Sequence, residues 1–142
     1  MTKQKRPSIA ITHSPQETRI LGRQIAKHLK KGDIIFLYGD LGSGKTVFTK
    51  GVCQGLGVKE EVTSSSFVIV TEYTGIMPVS HIDLYRLNSG DIAELSINEY
   101  ILENGITIIE WADRINNKNG LCIKIKIKGN NSREIKIEDL RD

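Results

Sequence analysis

The stretch GDLGSGKT, residues Gly39 to Thr46, matches the phosphate-loop pattern G-x-x-x-x-G-K-[ST] at every fixed position. It follows an apolar run over residues 33–38, whose composition is typical of a strand buried on both faces. It precedes residues 45–56, in which apolar side chains recur at helical spacing. Strand, glycine-rich loop and helix in this order are the context that the motif requires. The sequence therefore predicts an α/β protein with an anion-binding loop at the start of a helix.

Each fixed position of the loop has a physical task. Glycines allow positive φ and a close approach of the backbone, so that successive N–H groups form a nest around phosphate oxygens. Lys45 adds a point charge for the β and γ phosphates of a nucleotide, and the Thr46 hydroxyl is suited to bind Mg²⁺. The residues expected to surround the phosphates are Gly39, Asp40, Leu41, Gly42, Ser43, Gly44, Lys45 and Thr46.

Two carboxylates are candidates for the acid that a phosphate-loop ATPase needs near the metal. Asp83 follows the apolar-leaning run 79–82, whereas Glu110 follows the run 106–109, which has the stronger pattern of a buried strand. We favour Glu110 for magnesium or for the attacking water and keep Asp83 as the alternative. His81 is interpreted as a satisfied strand residue rather than a proton carrier.

The N-terminal part of the chain predicts a further helix. Ser14 has the chemistry of an N-cap, Pro15 suits the first helical position, and Glu17 is placed for a capping box. Apolar residues then recur at helical spacing, and Gly32 is expected to end the helix.

Alternating isoleucine and lysine residues over 123–128 predict a half-exposed strand, and the alternation resumes through Ile137 after a turn at 129–132. We expect further strands over 9–12, 67–73, 79–84 and 106–109, of which the second and third are antiparallel, and a short helix over 92–102. The predicted fold is a three-layer α/β P-loop fold with a mixed sheet, and its C-terminal antiparallel hairpin is expected at an edge of the sheet.

The composition fits one domain over residues 1–142, since 39% of the residues are hydrophobic and 26% are charged. Cys53 and Cys122 lie far apart and outside any metal-ligand spacing, so we expect both to be reduced, buried and inert. No apolar run has the length of a membrane span or of a signal-peptide core, which predicts a cytoplasmic protein. The formal net charge of +3 does not by itself indicate nucleic-acid binding.

The sequence favours ATP over GTP. Guanine-binding loops carry the pattern N-K-x-D, in which the acid reads the guanine edge, but residues 117–120 read NKNG and lack that acid. A small-molecule kinase would need an acceptor pocket and an arginine-bearing lid, and the chain has no insertion long enough for them.

Three motifs in this order resemble one family. They are YGDLGSGKT at residues 38–46, HIDLYRL at 81–87 and IEWADR at 109–114, and they resemble the TsaE family, also called YjeE. The resemblance covers nearly all of the chain. It implies an ATPase, weak on its own, that works with the proteins TsaB and TsaD in the synthesis of threonylcarbamoyladenosine (t6A) at position 37 of bacterial tRNA. TsaD would transfer the threonylcarbamoyl group, so this chain would act on tRNA only indirectly.

The resemblance also implies roles for individual residues. Thr46 and Glu110 would hold Mg²⁺, and Asp83 would support catalysis beside Lys45 and Glu110. Nucleotide contacts outside the loop are expected from Ser14, Thr18, Ser66, Trp111, Ser132 and Arg133.

One segment departs from the family pattern. Where the family usually reads S-P-T-[FY], residues 64–67 read SSSF, so the proline that fixes φ is missing and the segment is expected to be more flexible. Its hydroxyls would sense the γ-phosphate. This altered segment favours one alternative to a partnered ATPase, a nucleotide-gated binding module without hydrolysis. A small-molecule kinase is the other alternative that stays open.

Overall fold

The apolar run before the phosphate loop forms the central strand of a seven-stranded sheet. The computed structural model describes residues 7–40, 42–62, 70–84, 97–112 and 119–141. Its strands are β1 (Ser8–Thr12), β2 (Ile34–Tyr38), β3 (Val70–Thr74), β4 (Pro78–Asp83), β5 (Ile106–Glu110), β6 (Leu121–Ile127) and β7 (Arg133–Asp139). The α-helices in the described residues are α1 (Pro15–Ala26) and α2 (Lys45–Gly55), and a 3₁₀ turn spans Ile97–Tyr100.

The sheet is mixed, as the sequence predicts, and its strand order is β1-β7-β6-β2-β5-β4-β3. β2 runs parallel to both of its neighbours, β5 and β6, and β4 is parallel to β5. The pairs β3–β4, β6–β7 and β1–β7 are antiparallel. Because β2, β4, β5 and β6 point the same way, their carboxyl ends meet at one edge, where the phosphate loop begins.

Alternating side chains of β2 supply the cores on the two faces of the sheet. Ile35 and Leu37 pack with α1 and α2, whereas Phe36 packs into a second cluster with Ile82 and Ile109 on the opposite face. Tyr100 of the 3₁₀ turn and Trp111 pack against this second cluster. Both faces of the central strands are thus covered, which agrees with the predicted three-layer α/β fold.

The C-terminal hairpin forms as predicted, but its expected position at an edge is wrong. β6 pairs with β2 inside the sheet, and β7 is covered by β1, from Ser8↔Ile137 to Thr12↔Arg133. The first strand, β1, therefore pairs with the side of β7 that would otherwise be exposed, so β1 and not β7 is the edge strand. This pairing brings the end of β1, at Thr12, close to the hairpin turn.

The predicted helices differ from the observed ones at their ends. Ser14 caps α1 as expected, since its hydroxyl accepts the Glu17 N–H at 3.1 Å. α1 ends at Ala26 rather than near Gly32, because the next three N–H groups bond to the carbonyl three residues back, as in a tightened 3₁₀ turn. Of the helix expected over 92–102, the described part contains the 3₁₀ turn Ile97–Tyr100, and residues 92–96 lie outside the described ranges.

Both cysteines are buried free thiols, as expected. Burial raises the pKa of the Cys53 thiol to about 12, and the nearby negative charge of Glu60 adds a smaller contribution in the same direction. Since the thiolate is the reactive form, Cys53 is inert at neutral pH. Within the described residues, no helix has the length and apolarity to cross a bilayer.

Glycines let α1 and α2 pack in close contact. A Cβ on Gly51 of α2 would overlap the Arg19 carbonyl of α1, and one on Gly22 would lie 2.5 Å from the Phe48 carbonyl oxygen. These obstacles are backbone atoms, which cannot rotate away. The contact positions α2, and hence the phosphate loop, against the N-terminal helix.

We predict that Gly51→Ala destabilises the protein by about 1–3 kcal/mol, although alanine is the better helix former, because the two helix backbones must separate. Gly129→Ala is the matched control: the same methyl group is added where no atom lies within 4 Å. Its free energy of unfolding should stay within about 0.5 kcal/mol of the parent value. Urea unfolding followed by circular dichroism measures both, and equal stability of the two variants would contradict the close helix contact.

Candidate nucleotide-binding site

The backbone of the phosphate loop has the conformation that its glycines predict. Gly42 and Gly44 have φ values of 77° and 108°, and α2 begins at the next residue, Lys45. A Cβ on Gly39 would lie 2.8 Å from the Ile125 carbonyl oxygen of β6, so the loop can approach that strand only with glycine there. Gly44 is the N-cap of α2 and provides no side-chain cap. No N-cap side chain therefore competes with an anion at the start of α2, where the first N–H groups and the helix dipole favour negative charge.

Lys45 brings a buried positive charge to this loop. Lys45 is 6% exposed, and its ammonium group donates a hydrogen bond to the Gly39 carbonyl. The Lys45 Nζ atom also lies 3.6 Å from the centroid of the Trp111 ring, which is a cation–π contact. Trp111 has a φ of 60°, which is uncommon for a bulky side chain and often marks a functional site.

The two candidate acids are brought together by the strand register. Asp83 and Glu110 end the parallel strands β4 and β5 and are paired with each other, and Glu110 is also paired with Leu37 of β2. Glu110 is 3% exposed, whereas Asp83 is half-buried. Both carboxylates thus lie at the sheet edge from which the loop starts.

Glu110 has a buried partner that sequence reasoning missed. His81 Nε2 and Glu110 Oε2 are 2.7 Å apart, and their side chains are 1% and 4% exposed. His81 is a satisfied strand residue, as interpreted, but the group that satisfies it is the favoured catalytic acid. The sequence signal was the spacing of His81 and Asp83, which places both on one face of β4. The pairing to Glu110 depends on a register that the sequence does not reveal.

The oxygen ligands expected for Mg²⁺ fit that metal chemically. Magnesium prefers oxygen ligands and normally takes one or two from protein, with phosphate and water completing the shell. Thr46 lies in the first turn of α2, and Glu110 keeps its second oxygen, Oε1, outside the His81 contact. The described part of the chain contains no cluster of three or more His, Cys, Asp or Glu residues suited to hold a metal alone. A site built this way would need the nucleotide to complete it.

A pocket of about 190 Å³ adjoins the loop and collects several of the expected nucleotide contacts. Ser14, Thr18 and Arg133 meet there, although Arg133 lies more than a hundred residues from the other two in the chain. The other residues lining the pocket are Pro15, Gly42, Ser43, Gly44, Val47, Asn130 and Asn131. Asn130 and Asn131 were missed, because the family resemblance indicated only Ser132 and Arg133 in this part of the chain. The Ser43 hydroxyl oxygen is buried and has no hydrogen-bond partner among the described residues, and a bound phosphate would supply one.

Two of the expected hydroxyls have protein contacts of their own. The Thr18 hydroxyl, at the pocket, lies 2.7 Å from the Thr12 hydroxyl in a buried contact, and the Ser132 hydroxyl lies 3.4 Å from His13 Nδ1. Gly39, Asp40 and Ser43 also line a second pocket of about 230 Å³, together with Tyr38 and residues 124–127 of β6. Leu41 and Ser66, with the rest of the segment 63–69, lie outside the described residues.

A central parallel strand that leads through such a loop into a helix defines the P-loop NTPase fold. The sequence profile described as "Threonylcarbamoyl adenosine biosynthesis protein TsaE" matches residues 12–136. The chain belongs to the TsaE family.

Relatives and a solved structure agree with this assignment. The "tRNA threonylcarbamoyladenosine biosynthesis protein TsaE" of Bacillus subtilis is 40% identical over 128 residues, which cover 87% of this chain and 80% of that protein. The protein of the same name from Treponema pallidum is 32% identical over 131 residues, covering 89% and 97%. The crystal structure of Bacillus subtilis YdiB matches with a TM-score of 0.82 at 34% identity, over 98% of this chain and 89% of that one.

We predict that His81→Phe destabilises the protein by about 3 kcal/mol or more at neutral pH, because Glu110 then stays buried without its partner. Adding Glu110→Leu to that variant should recover much of the loss, since both polar groups are then replaced by apolar ones. A thermodynamic cycle of the two single variants and the double variant, measured by urea unfolding, gives the coupling free energy. Additive effects of the two substitutions would contradict the buried pair.

Proposed function

We propose that this chain binds ATP with Mg²⁺ at the phosphate loop and hydrolyses it weakly, and that it serves t6A modification of tRNA by acting on a complex of TsaB and TsaD. The observation that carries ATP binding is the buried Lys45 ammonium beside the loop, next to a helix start whose N–H groups have no side-chain cap. The names of the relatives support the pathway. A role in tRNA modification would put the chain in the cytoplasm.

In this proposal the backbone N–H groups of the loop and of the first turn of α2 bind the phosphates. Lys45 leaves the Gly39 carbonyl and donates to phosphate oxygens instead, because a phosphate is a far stronger acceptor for an ammonium than a neutral carbonyl. The movement also takes the ammonium away from the face of Trp111.

The two carboxylates have separate tasks in the proposed reaction. Thr46 and Glu110 would hold Mg²⁺, which when bound neutralises charge on the phosphate oxygens. His81 keeps the Glu110 carboxylate in one orientation through the 2.7 Å contact. Asp83, the register neighbour of Glu110, would accept a hydrogen bond from the attacking water and so orient it. No acceptor pocket for phosphoryl transfer is needed.

We predict that Lys45→Ala lowers the affinity for Mg-ATP by at least about a hundredfold, because the variant loses charge-assisted hydrogen bonds to two phosphates. Lys50→Ala is the matched control, since it removes the same charge from the same helix. Nucleotide should also change the fluorescence of Trp111, the only tryptophan in the chain, in the parent protein and in the control but not in Lys45→Ala. Isothermal titration calorimetry measures the affinities. Unchanged affinity in Lys45→Ala would refute the assignment of the loop.

Partner dependence tests the rest of the proposal. The basal ATPase rate should rise at least about tenfold on addition of TsaB and TsaD, and Glu110→Gln should lose this rate while it still binds nucleotide. Steady-state phosphate release measures both. No stimulation by the partners would count against the role in t6A synthesis. Equal single-turnover rates in Glu110→Gln and the parent protein would remove Glu110 from the reaction.

A further inference from the structure

Arg133 links the phosphate loop to the C-terminal hairpin through its guanidinium group. The Nε atom donates to the Ser43 carbonyl at 2.9 Å, and Nη2 donates to the Gly42 carbonyl at 3.4 Å. On the other side, Nη1 donates to the carbonyls of Ser132 at 3.0 Å and Gly129 at 3.2 Å. Four of the five guanidinium donors are therefore directed at backbone carbonyls, two in the loop and two in the hairpin turn.

The direction of these carbonyls fixes the direction of the neighbouring N–H groups. In a trans peptide the C=O and N–H bonds point to opposite sides. A Ser43 carbonyl turned toward Arg133 therefore turns the Gly44 N–H away from Arg133. In the described part of the chain, the Gly44 N–H has no backbone acceptor. This is the orientation in which the group is available to a phosphate.

The loop has little intrinsic resistance to rotation of these peptides. A Cβ on Gly42 would meet no atom within 4 Å, and both Gly42 and Gly44 have positive φ, where glycine has access to several conformations. Rotation of the peptide between Ser43 and Gly44 would point a carbonyl oxygen at the phosphates. An external hydrogen-bond donor that holds this carbonyl outward removes such conformers, which lowers the entropy cost of binding.

A turn hydrogen bond and two strand pairings fix the backbone at Arg133. The Lys128 N–H donates to the Ser132 carbonyl at 2.9 Å and closes the turn, and β7 begins at Arg133 itself, paired with Thr12 of β1 and Ile127 of β6. The guanidinium thus extends from a residue that is held by strands on both sides.

We propose that Arg133 is a positioning residue, which holds the Gly42 and Ser43 carbonyls outward so that the loop amides face the phosphates, rather than a ligand of the nucleotide. The proposal rests on nucleotide binding at this loop. It differs from the sequence-based expectation of a direct contact because the donors of Arg133 are directed at protein carbonyls. Loss of Arg133 should then weaken the binding of every nucleotide that fills the loop.

Affinities for Mg-ADP and Mg-ATP, measured by calorimetry for the parent protein, Arg133→Ala, Arg133→Lys and Lys128→Ala, test this proposal. Arg133→Ala should weaken both nucleotides by the same factor, about tenfold or more, and Arg133→Lys should fall between, because an ammonium cannot bridge all four carbonyls. Lys128→Ala removes a nearby charge that is paired with Glu134 and should leave both affinities within about twofold of the parent values. Parent-like binding by Arg133→Ala, or a loss confined to ATP, would overturn the proposal.

The backbone amide NMR signals report on the conformation of the loop without a bound nucleotide. In the ¹H–¹⁵N spectrum of the parent protein we expect one Gly44 signal, and in Arg133→Ala we expect it broadened or doubled while the signals of the sheet stay in place. Free guanidinium ion at millimolar concentration should restore part of the lost affinity. An unchanged Gly44 signal in Arg133→Ala would contradict the positioning role. Absence of nucleotide binding by the parent protein would instead refute the proposed function, and this proposal with it.

Discussion

The burial of the Lys45 ammonium is the constraint on which the site depends. A buried ammonium is unfavourable unless acceptors or an aromatic face replace its water, and here the Gly39 carbonyl and the Trp111 ring do so. Gly39 directly follows β2 and Trp111 directly follows β5, so the parallel pairing of these two strands brings the partners of Lys45 together. A phosphate is a far stronger acceptor for an ammonium than a neutral carbonyl or a ring. The site is therefore organised around an ammonium that a polyanion can take over.

The pocket beside the phosphate loop is lined by residues from the N-terminal helix α1 and its cap and from the C-terminal hairpin. β1 pairs with β7, which brings Ser14 and Thr18 close to Asn130 in the hairpin turn and to Arg133 at the start of β7. Glycine contacts between α1 and α2 hold the N-terminal helix against the helix that starts at the loop. The edge strand and the helix contact thus position Ser14 and Thr18 in the lining of the pocket.

Local pattern was enough to predict the strand, loop and helix around Gly39–Thr46, the cap at Ser14 and the alternating hairpin, because each is encoded by neighbours in sequence. Contacts between distant residues were not predictable in the same way. The partnership of His81 with Glu110 depends on strand register, and the placement of β6 beside β2 depends on the order of the whole sheet. The early end of α1 follows from a tightened last turn that the apolar spacing does not reveal. Arg133 was expected near the nucleotide from family resemblance, but its carbonyl partners were visible only in three dimensions.

The most direct measurement is a crystal structure of the protein grown with Mg²⁺ and a non-hydrolysable ATP analogue. We expect the triphosphate inside the loop, with Lys45 Nζ on phosphate oxygens and no longer on the Gly39 carbonyl, and with Arg133 still on the Gly42 and Ser43 carbonyls. An empty loop at saturating analogue, with Lys45 unmoved against Trp111, would contradict the central claim.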